Sequence, residues 1–144
     1  MTGATHVVAA AALYQRIGLK TPYLFGLAFL THFLLDAVPH FDLDMQWNYL
    51  LGACAGAFLL YIGKRQGDYK ILIAGLLGVL PDIYLVLQPG SNFSAIHNIF
   101  HFKELHPVSK TYLTAEMLFL FICGIMILTK KQRGFKNKIE PSPR

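Results

Sequence analysis

The chain has 144 residues, of which 54% are hydrophobic and only 15% are charged, and its mean hydropathy is +0.44. Ordinary soluble domains carry roughly 25% charged residues. A soluble chain this short could hardly hide so much apolar surface from water. These values argue against an ordinary soluble domain and indicate a single domain that has lipid as its solvent.

The net charge of +5 is concentrated at the end of the chain, where residues 130–144 carry six basic side chains and one acid, Glu140. Beside an apolar run, such a basic stretch is typical of the cytoplasmic flank of a membrane helix rather than of a nucleic-acid site. We therefore predict one helical membrane domain over residues 1–129 and a disordered cytoplasmic tail over residues 130–144. Membrane lipid is the expected partner, and nucleic acid is not.

Five apolar segments follow one another, and each is predicted to be a helix: residues 4–19, 22–38, 47–63, 71–87 and 111–129. The second begins at Thr21-Pro22, with Thr21 as N-cap and proline as the first helical residue. Ser94 can cap a further short helix over residues 91–102. The fifth segment meets the roughly 20 residues of a membrane crossing, and the others are near the lower limit. The predicted fold is an all-α polytopic membrane bundle of about five helices plus a short helix in an outer loop.

The loops between these segments alternate in charge. The first loop carries Arg16 and Lys20 and the third, residues 64–70, is basic, whereas the second carries Asp42 and Asp44 without Lys or Arg. The positive-inside rule places the first loop, the third loop and the tail in the cytoplasm. We predict an integral protein of a bacterial-type inner membrane, with its N-terminus outside and its C-terminus cytoplasmic.

All six histidines, and every aspartate except Asp68, fall on the outer side of a topology that was drawn from Lys and Arg alone. An aspartate in the middle of a membrane helix costs about 2.5–3.5 kcal/mol and therefore needs a partner. His32 and Asp36 are four residues apart, which puts them on one face of a helix. His97 and His101 repeat this spacing.

Imidazole nitrogen together with carboxylate oxygen suits Zn²⁺, with Mn²⁺ or Fe²⁺ as alternatives. A simpler interpretation of His32 and Asp36 is a hydrogen-bonded pair, and of Glu104 a solvated surface charge. Because several segments bring such residues to one membrane level, we predict a divalent-metal site that faces the outer side. The expected ligands are His6, His32, Asp36, His40, Asp82, His97 and His101. Asp42 or Glu104 is expected to act as the catalytic base.

These same residues resemble the motifs of a known family. Thr5-His6, the turn Leu80-Pro81-Asp82-Ile83 and the segment from His97 to His101 resemble the YdjM-like family of membrane-bound, metal-dependent hydrolases. The segment from His32 to Asp42 is similar to a motif of related small bacterial membrane proteins. The resemblance covers residues 4–106 and implies an all-helical core like that of zinc-dependent phospholipase C. The chain lacks the second Asp and His that often follow the turn in the family.

The residues and the resemblance together predict a membrane-embedded metal-dependent hydrolase that cleaves a phosphoester, either of a lipid or of another substrate at the outer leaflet, with a metal-activated water. One alternative is a protein that binds or transports a divalent metal or protons, which predicts polar residues that continue toward the cytoplasmic side. Another is a structural membrane protein whose histidines only pair with carboxylates.

Overall fold

The computed structural model describes residues 1–40, 43–100 and 110–129. These residues form six α-helices and no strand, so the all-α prediction is confirmed, and the short predicted helix of the outer loop is present as α5. The predicted tail, residues 130–144, lies outside the described residues. The helices are α1 (Gly3–Arg16), α2 (Thr21–Asp36), α3 (Met45–Gln66), α4 (Lys70–Leu87), α5 (Asn92–Phe100) and α6 (Lys110–Leu128).

Two helix starts differ from the predicted caps. Lys20 rather than Thr21 occupies the N-cap position of α2, and Pro22 lies in the first turn. At the start of α5, Ser91 Oγ accepts from the Ser94 backbone N–H at 3.3 Å, so Ser91 caps this helix instead of Ser94. The predicted N-cap of α2 is thus one residue too late in the chain, and that of α5 is three residues too late. At α5 two serines, Ser91 and Ser94, both favour the N-cap position.

The first helix, the shortest of the predicted crossings, is the centre of the bundle. Helices α2, α3, α4 and α6 all pack against α1. Every residue from Ala4 to Ala12 is buried. The run from Ala9 to Ala12 presents only methyl groups, which lets neighbouring helices approach closely from several sides.

Two glycines bring α4 against the backbone of α1. A Cβ on Gly78 would lie 2.5 Å from the Ala10 Cβ and 2.6 Å from the His6 carbonyl oxygen, and a Cβ on Gly75 would lie 3.1 Å from the Val7 carbonyl oxygen. These separations are shorter than ordinary van der Waals contact. Gly78 therefore sets the distance between α4 and the turn of α1 that carries His6.

Polar contacts tie the far end of α1, which is the end predicted to be cytoplasmic. Tyr14 Oη donates to the Asp68 carboxylate at 3.1 Å. Arg16 Nη2 donates to the Met126 carbonyl oxygen at 2.5 Å, where the last carbonyls of α6 have no partner within the helix. Hydrogen bonds of these two side chains thus fix this end of the bundle.

Large apolar side chains cover the outside of α4 and α6. Both helices contain an 18-residue window with a mean hydropathy of 2.0, of which only 28% in α4 and 17% in α6 is buried. They are the two described helices that are long and apolar enough to cross a membrane. A core helix of a soluble protein meets the same length and hydropathy but is mostly buried, which these two are not.

The close approach at Gly78 can be tested by adding one methyl group. We expect Gly78→Ala to lower the free energy of unfolding by about 1–3 kcal/mol, because overpacking a closed contact costs that much. Gly26→Ala, on α2, adds its Cβ where no atom lies within 4 Å and should be neutral or stabilising by up to about 1 kcal/mol. Denaturation in detergent, followed by circular dichroism, measures both; equal unfolding midpoints would contradict the proposed contact.

Candidate metal site

Four helices bring five of the predicted ligands together at one end of the bundle. They are His6 of α1, His32 and Asp36 of α2, Asp82 of α4 and His97 of α5. Each residue of the group His32, Asp36, Asp82 and His97 offers one ligand atom, and these four atoms lie within 4.8 Å of one another. This group can hold a metal ion.

Asp36 is the centre of the cluster. Its Oδ2 lies 2.9 Å from His32 Nε2 and 3.1 Å from His97 Nε2, while its Oδ1 lies 3.1 Å from His6 Nε2. Asp82 repeats this arrangement at longer range: its Oδ1 is 3.6 Å from His32 Nε2 and 3.8 Å from His97 Nε2, and its Oδ2 is 4.0 Å from His6 Nε2. Each carboxylate therefore presents one oxygen to His6 and the other to His32 and His97.

The protonation of His32 shows why a cation fits this geometry. Its Nδ1 lies 3.0 Å from the Gly78 carbonyl oxygen, which can only accept, so Nδ1 carries a hydrogen and donates it. In the neutral ring, Nε2 then has a lone pair directed at His97 Nε2, 2.8 Å away, and at Asp36 Oδ2. When His97 carries its hydrogen on Nδ1, its Nε2 is also an acceptor, and a second proton on His32 could serve only one of these two acceptors. A cation between them would satisfy all the lone pairs together.

The hydrogen bond to Gly78 also has the form expected of a metal ligand. Histidines that bind a metal through one nitrogen usually donate from the other to a carbonyl or carboxylate, which fixes the tautomer and the ring orientation. The same residue, Gly78, sets the spacing between α1 and α4. The contact that brings the two helices together thus also orients a ring of the site.

The spacing and burial of the cluster are compatible with a tetrahedral ion. Zinc–nitrogen bonds of about 2.0–2.1 Å place neighbouring ligand atoms roughly 3.3 Å apart, and the separations of 2.8–4.0 Å lie on both sides of this value. His6, His32, His97 and Asp36 are almost completely buried. The Asp82 side chain, 33% exposed, is the open side of the cluster.

Polar side chains of α3 and α6 hold the turn of α1 that carries His6. Glu116 Oε1 accepts from the Thr2 backbone N–H at 2.6 Å and from Thr5 Oγ1 at 2.8 Å, and Asn48 Oδ1 accepts from the Gly3 N–H at 2.7 Å. The first N–H groups of a helix have no partner within it, and the helix dipole favours a carboxylate there. The sequence offered one signal for this role, an acid inside the otherwise apolar segment of α6.

Of the remaining predicted site residues, His40 is the one that the structure describes. His40 Nδ1 lies 2.7 Å from the Val38 carbonyl oxygen, and His40 is not part of the group of converging ligand atoms. Asp42, His101 and Glu104 lie outside the described residues. The assignment of Asp42 or Glu104 as catalytic base and of His101 as a metal ligand therefore stays a prediction. The Met1 α-amino group, which the sequence did not point to, lies 3.5 Å from Asp36 Oδ1.

A cavity of ≈ 730 Å³ adjoins the cluster and extends between α3 and α4. Asp82 and His97 line its polar end, and Gly52, Gly56, Leu72 and Leu76 line its apolar part. Its volume falls within the range of small-molecule sites. The open side of the cluster at Asp82 therefore faces a space that can hold a ligand.

The role of Glu116 can be separated from metal binding. We expect Glu116→Ala to lower the free energy of unfolding by about 1–3 kcal/mol, because buried donors at the start of α1 lose their acceptor. Glu116→Gln keeps an oxygen that can accept both hydrogen bonds and should cost clearly less. Unfolding in detergent measures both variants, and equal losses for alanine and glutamine would show that these hydrogen bonds do not hold α1.

Comparisons with known proteins add no further constraint on the site. No protein-family model matches the chain, and neither the search of curated proteins nor that of solved structures gave a match. The resemblance stated from the motifs therefore stays a prediction. The geometry of the cluster and of the adjoining cavity is the basis for a functional proposal.

Proposed function

We propose that this protein is a membrane-embedded, metal-dependent hydrolase of phosphoesters. The observation that supports this most is the convergence of three Nε2 atoms, those of His6, His32 and His97, on two carboxylates beside a cavity. Buried carboxylates and imidazoles are costly unless each is paired, and an ion would pair all of them. Metal sites with an open side next to a cavity are typical of catalysis rather than of structural support.

Zinc is the proposed metal. The cluster offers imidazole nitrogen and carboxylate oxygen, a set that suits Zn²⁺, Mn²⁺ or Fe²⁺. Mg²⁺ and Ca²⁺ prefer oxygen ligands, which disfavours them at a site with three histidines. Asp36 and Asp82 each present one oxygen to His6 and the other to His32 and His97, so the cluster would offer ligand atoms for a second ion as well.

A divalent cation at this site would polarise a phosphoryl oxygen and lower the pKa of water toward neutrality. The protein residues supply the rest of the arrangement. Asp36 lies within 3.1 Å of all three histidine Nε2 atoms and keeps them directed to one point. The Gly78 carbonyl fixes the His32 ring, and Asp82 borders the cavity from which a substrate would approach.

The core on the other side of the cluster argues against transport through the bundle. A relay for protons or metal ions needs polar side chains that continue from the site toward the opposite end. The buried residues of α1, α3 and α4 that fill this interval in the described structure are apolar: Ala10, Ala11, Leu59, Ile71 and Ala74. A site closed on that side is better suited to chemistry at one membrane face.

Charge distribution supports a polytopic arrangement with the site facing the outer side. Arg16 ends α1, and Lys64 and Arg65 lie in the last turn of α3. These ends are opposite to the cluster, which lies at the start of α1 and the end of α2. By the positive-inside rule the basic end is cytoplasmic. We propose that α1, α2 and α3 cross the membrane in a bundle with α4 and α6.

Metal content tests the foundation of this proposal. Elemental analysis of the detergent-purified protein should find one or two zinc ions per chain, and the His32→Ala/Asp36→Ala variant should lose them because it removes the shared carboxylate and one of its imidazoles. His40→Ala, a histidine outside the cluster, is the matched control and should keep the metal. A wild-type protein that binds no zinc, manganese or iron after supplementation would contradict the proposal and leave a hydrogen-bonded structural cluster.

Hydrolysis tests the activity itself. Phospholipid vesicles incubated with the wild-type protein should release a phosphorylated head group or a phosphate product. A chelator should stop this release and added zinc should restore it, since the cation supplies the polarisation. Asp82→Asn should reduce the rate while the protein stays folded. Zinc-loaded protein that cleaves no phosphoester, whether lipid or soluble, would contradict the hydrolase assignment but not the metal site.

A further inference from the structure

The cavity beside the cluster lies between one face of α3 and one face of α4, and Met1, Gly3 and Val7 at the start of the chain also line it. On α3 the lining residues recur at helical spacing, as Met45, Tyr49, Gly52 and Gly56. On α4 they recur in the same way, as Leu72, Leu76, Val79, Ile83 and Val86. Residues three and four positions apart share one face of a helix. The cavity is therefore a groove that runs along both helices.

The two glycines of α3 widen this groove. A Cβ on Gly52 or Gly56 would have no atom within 4 Å, in contrast to Gly75 and Gly78, where a Cβ would meet the neighbouring helix. Glycine in a helix costs roughly 0.5–1 kcal/mol relative to alanine. Gly52 and Gly56 do not bring α3 closer to a neighbouring helix within the described structure. What the missing side chains provide is space between α3 and α4.

The groove is polar at one end only. Asp82, His97 and the start of the chain at Met1 lie at the end that joins the cluster. Toward Leu72 its lining is apolar. A ligand that matches this surface has one polar group, held at the cluster, and one long apolar part.

The length and the direction of the groove match one lipid chain. From Asp82, at the cluster, to Leu72 the α4 backbone rises about 15 Å. One leaflet of a bilayer is about half of the roughly 30 Å hydrocarbon core. The groove thus starts at the membrane level of the cluster and extends about the depth of one leaflet. Leu76 and Val86, which line it, are each about half exposed on the outside of the bundle, so the groove borders the surface that would face lipid.

We propose that this groove between α3 and α4 binds one hydrocarbon chain of a membrane phospholipid, with the phosphate of that lipid at the His/Asp cluster. The lipid enters sideways from the bilayer between the two helices. The groove excludes short, water-soluble phosphoesters from tight binding, because these lack the apolar part that fills it. The claim that this lipid is also the substrate rests on the proposed function. The claim that the lipid binds in the groove does not depend on it.

Photocrosslinking tests the binding without requiring any hydrolysis. The probe is phosphatidylethanolamine that carries a diazirine near the middle of one acyl chain, in vesicles with the full-length protein. We expect crosslinked peptides to map to α3 around Gly52 and Gly56 and to α4 around Leu72 and Leu76. Gly52→Leu and Gly56→Leu fill the groove and should reduce these crosslinks about tenfold, as the loss of two buried methylenes would. Both variants should keep their zinc content.

Gly26→Leu is the matched control, since its side chain also enters open space but lies on α2 away from the groove; its crosslinks should equal those of the wild type. Crosslinks spread evenly over the outer surfaces of α4 and α6, and unchanged in Gly52→Leu, would overturn the proposal whatever the zinc content. Groove crosslinks in a protein that hydrolyses nothing would support lipid binding and contradict the hydrolase.

Discussion

The Asp36 carboxylate is the interaction on which the rest of this structure depends. Almost completely buried at the end of α2, it lies within 3.1 Å of the Nε2 atoms of three histidines from three helices. A carboxylate in such a position is stable only if its charge is balanced, and the balance has to come from several helices together. The cluster therefore favours one arrangement of α1, α2, α4 and α5.

The architecture around the cluster follows from small residues rather than large ones. The alanines of α1 and the glycines Gly75 and Gly78 of α4 let two backbones approach closely, and this approach places the Gly78 carbonyl against His32. Where α3 carries glycine without a close neighbour, at Gly52 and Gly56, the result is the opposite, an open groove. The same residue type thus closes the bundle on one side of α4 and opens it on another, and both effects serve the site.

Much of this could be predicted from the sequence. Apolar segments and their breakers gave the helices. The topology drawn from Lys and Arg placed His6, His32, Asp36, Asp82 and His97 at one membrane level, together with His40 and with His101, which lies outside the described residues. Hydropathy could not show that the short first segment is the central helix, because burial against other helices and exposure to lipid select the same residue types. Nor could it show that Glu116 and Asn48 hold the start of α1, since their partners are distant in sequence. His40 has the chemistry of a ligand but its ring is directed to the Val38 carbonyl, a local turn that composition does not reveal.

X-ray absorption spectroscopy of the zinc-loaded protein tests most directly the central claim that histidines and carboxylates of the cluster hold a metal ion. The structure predicts a first shell of nitrogen and oxygen at about 2.0–2.1 Å, with the outer-shell scattering of two or three imidazole rings. His6→Ala should remove the contribution of one ring if its Nε2 is a ligand. A shell that contains sulfur, from Cys54 or Cys123, or that lacks imidazole scattering would contradict the claim.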